Sequence, residues 1–369
     1  MNGKHVLIVG GGVAGLLTAW ALARRGADVT VFEQGPLPNP RCSSFDEHRI
    51  IRHAYGRMEG YARLMPGAFA LWERLWGDLG QRHYEETGAA YFLRDDTGWY
   101  EPSIRSLQEL GVGYREVPLD DAAGRYPMVN PAGLTRVVET DGAGMLFPSV
   151  ILTALVAVLP ALGVRLAASC RIDAVDADAG AVVADGERHR GDAVVIAAGA
   201  WADRLAPSLR GVAVPSRQAV VYLAPPPDLA AAWAGAPVML DRSRAGGTYT
   251  LPPRRGTRLK VGDHVFSRRG DPDDDRVARD EDLERLLPAL GVAYRDIGRY
   301  AVLERRACFY TVSEDERFIV RPAGDRAWVV SACSGHGFKL APAMAEAVAQ
   351  ALAGERPAAQ IAEWARAAA

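Results

Sequence analysis

Apolar residues run unbroken from Val6 to Val9 and lead straight into Gly10-x-Gly12-x-x-Gly15. Behind the glycines, Leu16, Leu17, Ala19, Trp20 and Ala23 recur at helical spacing, and after a turn at Gly26 a second apolar run ends on Glu33. A short apolar run bounded by glycines reads as a strand buried on both faces, so the chain opens with a predicted strand–helix–strand unit. Helical periodicity returns over residues 58–90 (Tyr61, Leu64, Ala68, Leu71, Leu75) and runs into a strand at 89–93. Further helices are predicted at 103–110, 149–162 and 341–353, and strands at 114–118, 164–168, 192–201 and 327–332. From residue 218 to 264 the pattern changes to short alternating runs, 219–224, 238–240, 247–251 and 258–261, separated by Pro- and Gly-rich turns. This predicts an antiparallel sheet distinct from the parallel layer. No internal repeat is present. The expected architecture is α/β, with two interleaved domains, one binding a dinucleotide and the other covering it.

Composition narrows this picture only a little. With 49% hydrophobic and 24% charged residues over 369 positions, the chain has the make-up of a globular protein with ample core material. A formal net charge of -2 gives no reason to expect nucleic acid or a membrane surface. Basic clusters such as Arg254-Arg255 and Arg268-Arg269 are followed by Asp271, Asp273, Asp274 and Asp275, which reads as a solvated loop. The apolar run before the glycines is about five residues long, so a secretory signal is not expected there. The longest apolar stretch, 150–164, is interrupted by Pro160 and is too short to span a bilayer. Cys42, Cys170, Cys308 and Cys333 show neither CxxC nor zinc spacing, and His48 and His53 lie beside arginines, so no metal site is expected. Reduced thiols in the cytoplasm are the expectation.

The glycine turn carries the first chemistry. Gly10 permits the tight turn, Gly12 lets a pyrophosphate approach the backbone, and Gly15 lets the helix pack closely on the strand. The helix N-terminus then faces the phosphates, and Glu33 at the tip of the next strand accepts hydrogen bonds from a ribose diol. The alternative is an ordinary glycine-rich turn. The run 192–201 ends in small residues, Ala197-Ala198-Gly199-Ala200, which suits a second close approach to a cofactor.

Four further segments stand out. Arg49-Ile-Ile-Arg52-His-Ala-Tyr55-Gly56 places two arginines on an apolar segment, which demands anionic or polar partners: a ligand, or a structural carboxylate such as Glu47. Lys260, in a β-type run after Gly247-Thr-Tyr249-Thr and before His264, is either a buried donor beside a flavin or an edge-strand lysine. A lone His264 is more commonly a satisfied loop residue than a catalyst. Cys308 follows Arg305-Arg306, an electropositive setting that favours thiolate, or it is a small buried hydrophobe. Ser334-Gly335-His336-Gly337-Phe338-Lys339 before a helix is an anion-binding loop with an added point charge, or a plain turn.

Taken in order, these segments resemble the monomeric sarcosine oxidase and N-methyltryptophan oxidase group of the D-amino-acid-oxidase-like flavoprotein family, and the resemblance spans nearly the whole chain. It implies a glutathione-reductase-like FAD-binding domain over residues 1–85, 145–215 and 305–369, with a substrate domain over 86–144 and 216–304. It implies FAD held by Gly10, Gly12, Val13, Ala14, Gly15, Glu33, Gln34, Ser44, Arg49, Ala198, Gly199, Trp201 and the loop Gly335, His336, Gly337, Phe338, Lys339. Cys308 stands where such enzymes attach the flavin 8α-methyl through a thioether. Arg52 and Lys339 match the pair that holds the substrate carboxylate, and a guanidinium fork plus an ammonium suits that group. Lys260 matches the lysine that promotes reaction with oxygen, and Arg49 the arginine that keeps positive charge near the flavin. Tyr249 and His264 match the pair that positions the substrate amine. Phe45, Leu240 and the basic loop 241–246 with Arg242 and Arg244 depart from the group's pattern, which leaves the substrate side chain open.

The activity so implied is oxidation of a secondary amino acid, N-methyl or cyclic, by hydride transfer to flavin, with oxygen reduced to hydrogen peroxide by a cytoplasmic monomer. Alternatives are a primary amino-acid or glycine oxidase, a biosynthetic cyclic-imine oxidase, and, outside the enzymes, a non-catalytic FAD-binding protein. Retention of Arg52, Lys260, Cys308 and Lys339 together speaks against the last, since a mere binder needs none of them.

Overall fold

The computed structural model describes residues 1–244 and 247–367. Its first layer is a six-stranded sheet in the order Ile319–Gly324, Ala327–Ser331, Ala193–Ile196, His5–Val9, Asp28–Phe32, Arg165–Ala167. Every pair in it is parallel except Ile319–Gly324 with Ala327–Ser331. His5–Val9 lies at the centre, and its alternating side chains enter two different cores. Val6 and Ile8 pack with Trp20 and Val348 on the face covered by helices Val13–Ala23 and Ala341–Leu352. Leu7 and Val9 pack with Val182, Val194 and Leu209 on the other. Burial on both faces is why the run is continuously apolar rather than alternating.

The turn between His5–Val9 and Val13–Ala23 leaves no room for side chains. A Cβ at Gly15 would lie 1.9 Å from the Gly10 carbonyl oxygen, and one at Gly10, whose φ is +111°, would lie 2.5 Å from the Ala197 carbonyl oxygen. The helix therefore rests directly on the strand, which is the packing the glycine spacing predicts.

The second layer is an eight-stranded sheet in the order Ala301–Val312, Val214–Ala224, Leu259–Asp263, Thr248–Leu251, Val238–Arg242, Ala89–Leu93, Arg136–Thr140, Tyr114–Val117. The sequence pattern predicts an antiparallel sheet here. The sheet is in fact mixed, because Val238–Arg242 pairs in parallel with Ala89–Leu93, Leu240 opposite Tyr91 and Arg242 opposite Leu93. Pairing between strands so far apart in the chain leaves no local sequence mark. Two long strands, Val214–Ala224 and Ala301–Val312, run across the expected domain cuts at 215/216 and 304/305. A small three-stranded sheet, Arg49–Ile51, Gly144–Leu146 and Tyr84–Glu86, sets the register of Arg49 opposite Leu146. The helix predicted at 149–162 is α-helical over Pro148–Val158 and tightens to a 3₁₀ turn at Leu159–Leu162, where Pro160 lacks the N–H to continue it. Among the described residues no helix is long and apolar enough to cross a membrane.

Two glycines give opposite expectations. Gly67, inside helix Glu59–Leu79, has nothing within 4 Å of an added Cβ, so Gly67→Ala is expected to raise unfolding free energy by about 0.5–1 kcal/mol. Gly15→Ala is expected to lower it by at least that much, because the clash is with backbone. Urea unfolding of the two variants measures both signs.

Candidate functional site

A cavity of about 520 Å³ begins at the glycine turn and ends beside Lys339 and Arg242, bounded by residues of both large sheets. At the first end, Gly10, Gly12, Val13 and Ala14 form its floor at the N-terminus of helix Val13–Ala23. The Val13 N–H donates to Ser44 Oγ at 3.1 Å. Glu33 is buried, and its carboxylate accepts from the Gly11 N–H at 2.8 Å, the Gly35 N–H at 3.0 Å and Asn39 Nδ2 at 2.8 Å. A carboxylate offers about four acceptor positions, so one remains for a ribose hydroxyl. Gln34, Ala198, Gly199 and Trp201 complete this end, with Trp201 Nε1 donating to Asp273 Oδ1 at 2.8 Å. Asp271 and Asp273 also pair with Arg204, while Arg254 and Arg255 pair with Glu85, so these charges are satisfied on the surface. Gly12 and the helix end admit a pyrophosphate, and the cavity continues far enough to reach the second sheet. These residues fit an ADP-bearing cofactor. Gly15 does not bound the cavity; its role is the helix–strand contact.

Midway stands a buried cluster around Asp46. Its carboxylate accepts from Lys260 Nζ at 2.5 Å, from the Arg49 guanidinium and from the Tyr222 hydroxyl, with Arg306 at 3.9 Å. Arg49 also donates to the Ser43 carbonyl at 2.9 Å. Lys260 is 1% exposed, on strand Leu259–Asp263 between two other strands, so it is not an edge-strand lysine. Burial and the Arg49 charge pull its ammonium below the ordinary value, and the Asp46 carboxylate works against them. The structural carboxylate expected for this arginine pair was Glu47. Glu47 instead binds Arg258 at 2.5 Å and lies below the usual carboxylate range, because the Arg258 hydrogen bonds outweigh burial. Asp46 carried no sequence signal beyond its place three residues before Arg49.

Of the two readings of Cys308, an activated thiolate or a small buried hydrophobe, burial favours the second. Arg305 is held by Asp280 at 2.6 Å and Arg306 by Glu304 at 2.7 Å, so the flanking arginines are neutralised. Burial pushes the thiol above its ordinary value, and the charges that oppose this belong to Arg49, Lys260 and Arg276. Cys308 is not among the residues bounding the cavity, although Cys42, Cys170 and Cys333 are.

The far end is defined by cations without counter-charges. Arg52 and Lys339 both lie against the Tyr55 ring, the guanidinium carbon 5.2 Å and the Nζ 5.1 Å from its centroid. Arg52 Nη1 is buried with no hydrogen-bond partner among the described residues. Lys339 donates only to the His336 carbonyl, at 3.2 Å, and burial followed by the Arg52 charge holds its ammonium well below the ordinary value. Trp72 on helix Glu59–Leu79 fixes this residue by donating to the Lys339 carbonyl at 2.9 Å. In the same loop His336 stacks on Phe318 at 4.4 Å, meets the Glu316 carbonyl at 3.0 Å and stays neutral because burial depresses its pKa. Gly335 (φ +73°), Gly337 and Phe338 line the wall.

Tyr249 and His264 reach the cavity by different routes. Tyr249 is a phenol pushed up to about 12 by burial, beside Tyr310, and its hydroxyl occupies space that a Cβ at Gly262 would enter at 2.5 Å. His264 is 40% exposed at the mouth, with Nε2 3.5 Å from Glu316. That contact holds the Glu316 carboxyl below its usual range. Phe45 packs against the main core, Leu240 lines the cavity, and of the basic loop 241–246 residues 245–246 lie outside the described residues. Tyr55, Tyr310 and Glu316 complete the site without having been singled out from sequence, since aromatic and surface acidic residues carry no distinctive spacing.

A cradle for an ADP-bearing cofactor, continuous with buried cations, is matched by known proteins over nearly the full chain. N-methyl-L-tryptophan oxidase of Yersinia pestis strain Pestoides F is 26% identical over 378 aligned positions covering 95% of each chain. The fold of fructosamine oxidase (Amadoriase II) from Aspergillus fumigatus superposes with a TM-score of 0.83 at 20% identity, over 98% of this chain and 89% of that one. L-proline dehydrogenase from P. horikoshii gives 0.80 at 20% identity over 99% and 97%. NikD, an amino acid oxidase of nikkomycin biosynthesis, gives 0.78 at 21% identity over 96% and 95%. The family model for DAO, FAD dependent oxidoreductase, matches residues 5–351. With strand, glycine turn, cavity and far-end loop all inside that match, this chain belongs to the DAO family of FAD-dependent oxidoreductases.

Proposed function

We propose that this protein oxidises the C–N bond of a secondary amino acid, N-methyl or cyclic, with oxygen as the final acceptor. The observation that carries this reading is the pair of half-buried Arg52, whose Nη1 is buried and unpartnered among the described residues, and buried Lys339, in the cavity that begins at the glycine turn. Two cations held in a dry site need an anion, and a guanidinium fork beside an ammonium matches an amino-acid carboxylate. The names of the N-methyl-L-tryptophan oxidase relative and of NikD as an amino acid oxidase support the substrate class.

FAD, when bound along the cavity, supplies the hydride acceptor and returns the electrons to oxygen as hydrogen peroxide. The chain's residues set the conditions for that transfer. Arg52 and Lys339 bind the carboxylate and so orient the reacting C–H bond, an effect worth several kcal/mol of barrier. The amine must be neutral to release a hydride, and the surrounding charges of Arg49, Arg52, Lys260 and Lys339 disfavour an ammonium. Tyr249 supplies a neutral hydroxyl partner for the amine, and His264, backed by Glu316, accepts the departing proton at the mouth. Asp46 supplies the counter-charge beside the Lys260 amine, and a cation there would favour electron transfer to oxygen. Cys308 is the proposed point of covalent flavin attachment.

Acid precipitation of the purified protein is expected to give a yellow pellet, and the same treatment of Cys308→Ala a yellow supernatant. Colour left in solution by the unaltered protein would end the Cys308 assignment. Arg52→Ala and Lys339→Ala are each expected to raise the KM for the productive amine about 10- to 100-fold, the worth of one charged hydrogen bond. An unchanged KM removes that residue from the carboxylate site. Asp46→Asn is expected to slow reoxidation by oxygen more than anaerobic bleaching by substrate, and to lower unfolding free energy by about 3 kcal/mol as a buried cation loses its partner. Stopped-flow half-reactions and urea unfolding test the two parts separately.

A further inference from the structure

A third cation, half-buried but with a buried and unpartnered nitrogen, lines the same cavity, and the carboxylate reading above leaves it without a task. Arg242 ends strand Val238–Arg242, and strand alternation sends it to the opposite face from Asp241, which is committed to Arg94 at 2.7 Å. The Arg242 guanidinium lines the cavity and packs over Trp99, with 5.9 Å from its carbon to the ring centroid. Trp99 is itself fixed by stacking on Tyr91 at 4.3 Å. Arg242 makes no salt bridge among the described residues, and its Nε is buried without a partner. Thr97 Oγ1, on the same wall, is also buried without a partner. Of the two acids whose charge acts on Arg242, Asp241 is paired with Arg94 and Glu316 lies 3.5 Å from His264. Burial and then the charge of Arg52 push the Arg242 guanidinium down to about 10.

An amino acid with one carboxylate cannot satisfy this arrangement. With its α-carboxylate on Arg52 and Lys339, an apolar side chain such as an indole would seal Arg242 away unpaired, the costly state for a buried charge. We propose that Arg242, assisted by the Thr97 hydroxyl, anchors a second carboxylate, and that the substrate is an N-alkylated dicarboxylic amino acid. The assignment rests on the amine-oxidase reading for its chemistry, but the two-carboxylate site stands on Arg242 alone.

Racemic N-methylaspartate and N-methylglutamate, each beside its side-chain amide, test this with the holoenzyme. The expected result is a kcat/KM preference for acid over amide of about 10- to 100-fold in at least one pair, the range of one charged hydrogen bond. Arg242→Met is expected to collapse that preference to within about threefold. Equal use of acid and amide by the unaltered enzyme, or a preference that survives Arg242→Met, overturns the proposal. Calorimetry with succinate and glutarate against butyrate gives a readout free of turnover. Tighter dicarboxylate binding that disappears in Arg242→Met supports the site even if no amine is oxidised, in which case the oxidase reading fails and this one stands. Oxidation of N-methyl amino acids with no dicarboxylate preference in either measurement leaves the oxidase reading standing and overturns the second-carboxylate site.

Discussion

The buried carboxylate of Asp46 is the contact on which the centre of the site depends. It gathers Lys260 from Leu259–Asp263, Tyr222 from Val214–Ala224 and Arg49 from the small sheet, with Arg306 of Ala301–Val312 close by. A carboxylate and an ammonium each lose several kcal/mol of hydration on burial, so they persist only where partners saturate them. That requirement ties the strand carrying Arg49 to the eight-stranded sheet and aims Lys260 into the cavity. Arg52, three residues beyond Arg49, is placed by the same anchored segment.

Asp46 neutralises only the middle of the cavity. Beyond it, Arg52 and Lys339 lie against the Tyr55 ring, and Arg242 lies over Trp99, which stacks on Tyr91. This residual charge has two coupled effects. It draws carboxylates, and it lowers the proton affinity of an amine placed among them. On the proposed reading, binding and activation of the substrate would follow from one electrostatic arrangement.

Much of the framework was legible in the chain. The doubly buried strand His5–Val9, the glycine turn and the helix behind it follow from spacing and size, since only glycine fits where a Cβ would meet the Gly10 or Ala197 carbonyl oxygens. Lys260 was visible as a lysine in a β-type run, but its burial depended on which strands flank it. Asp46 and Glu47 are adjacent acids, and the register of the short strand after them decides which one enters the cluster and which meets Arg258. Cys308 shows the same dependence on distant segments. Its sequence neighbours Arg305 and Arg306 are taken by carboxylates, and the cations that act on it come from elsewhere.

By itself, the sequence determined the nucleotide-binding turn, the α/β layering and the residue types available to the site, because these rest on local spacing, turn geometry and steric size. Tertiary structure alone decided how charge is distributed: that Asp46 is the counter-ion, that Val238–Arg242 joins Ala89–Leu93 in parallel, and that Arg242 lines the same cavity as Arg52. Whether a charge is paired depends on which distant segments pack against it and how much water they exclude, and neither is written in the spacing of neighbours along the chain.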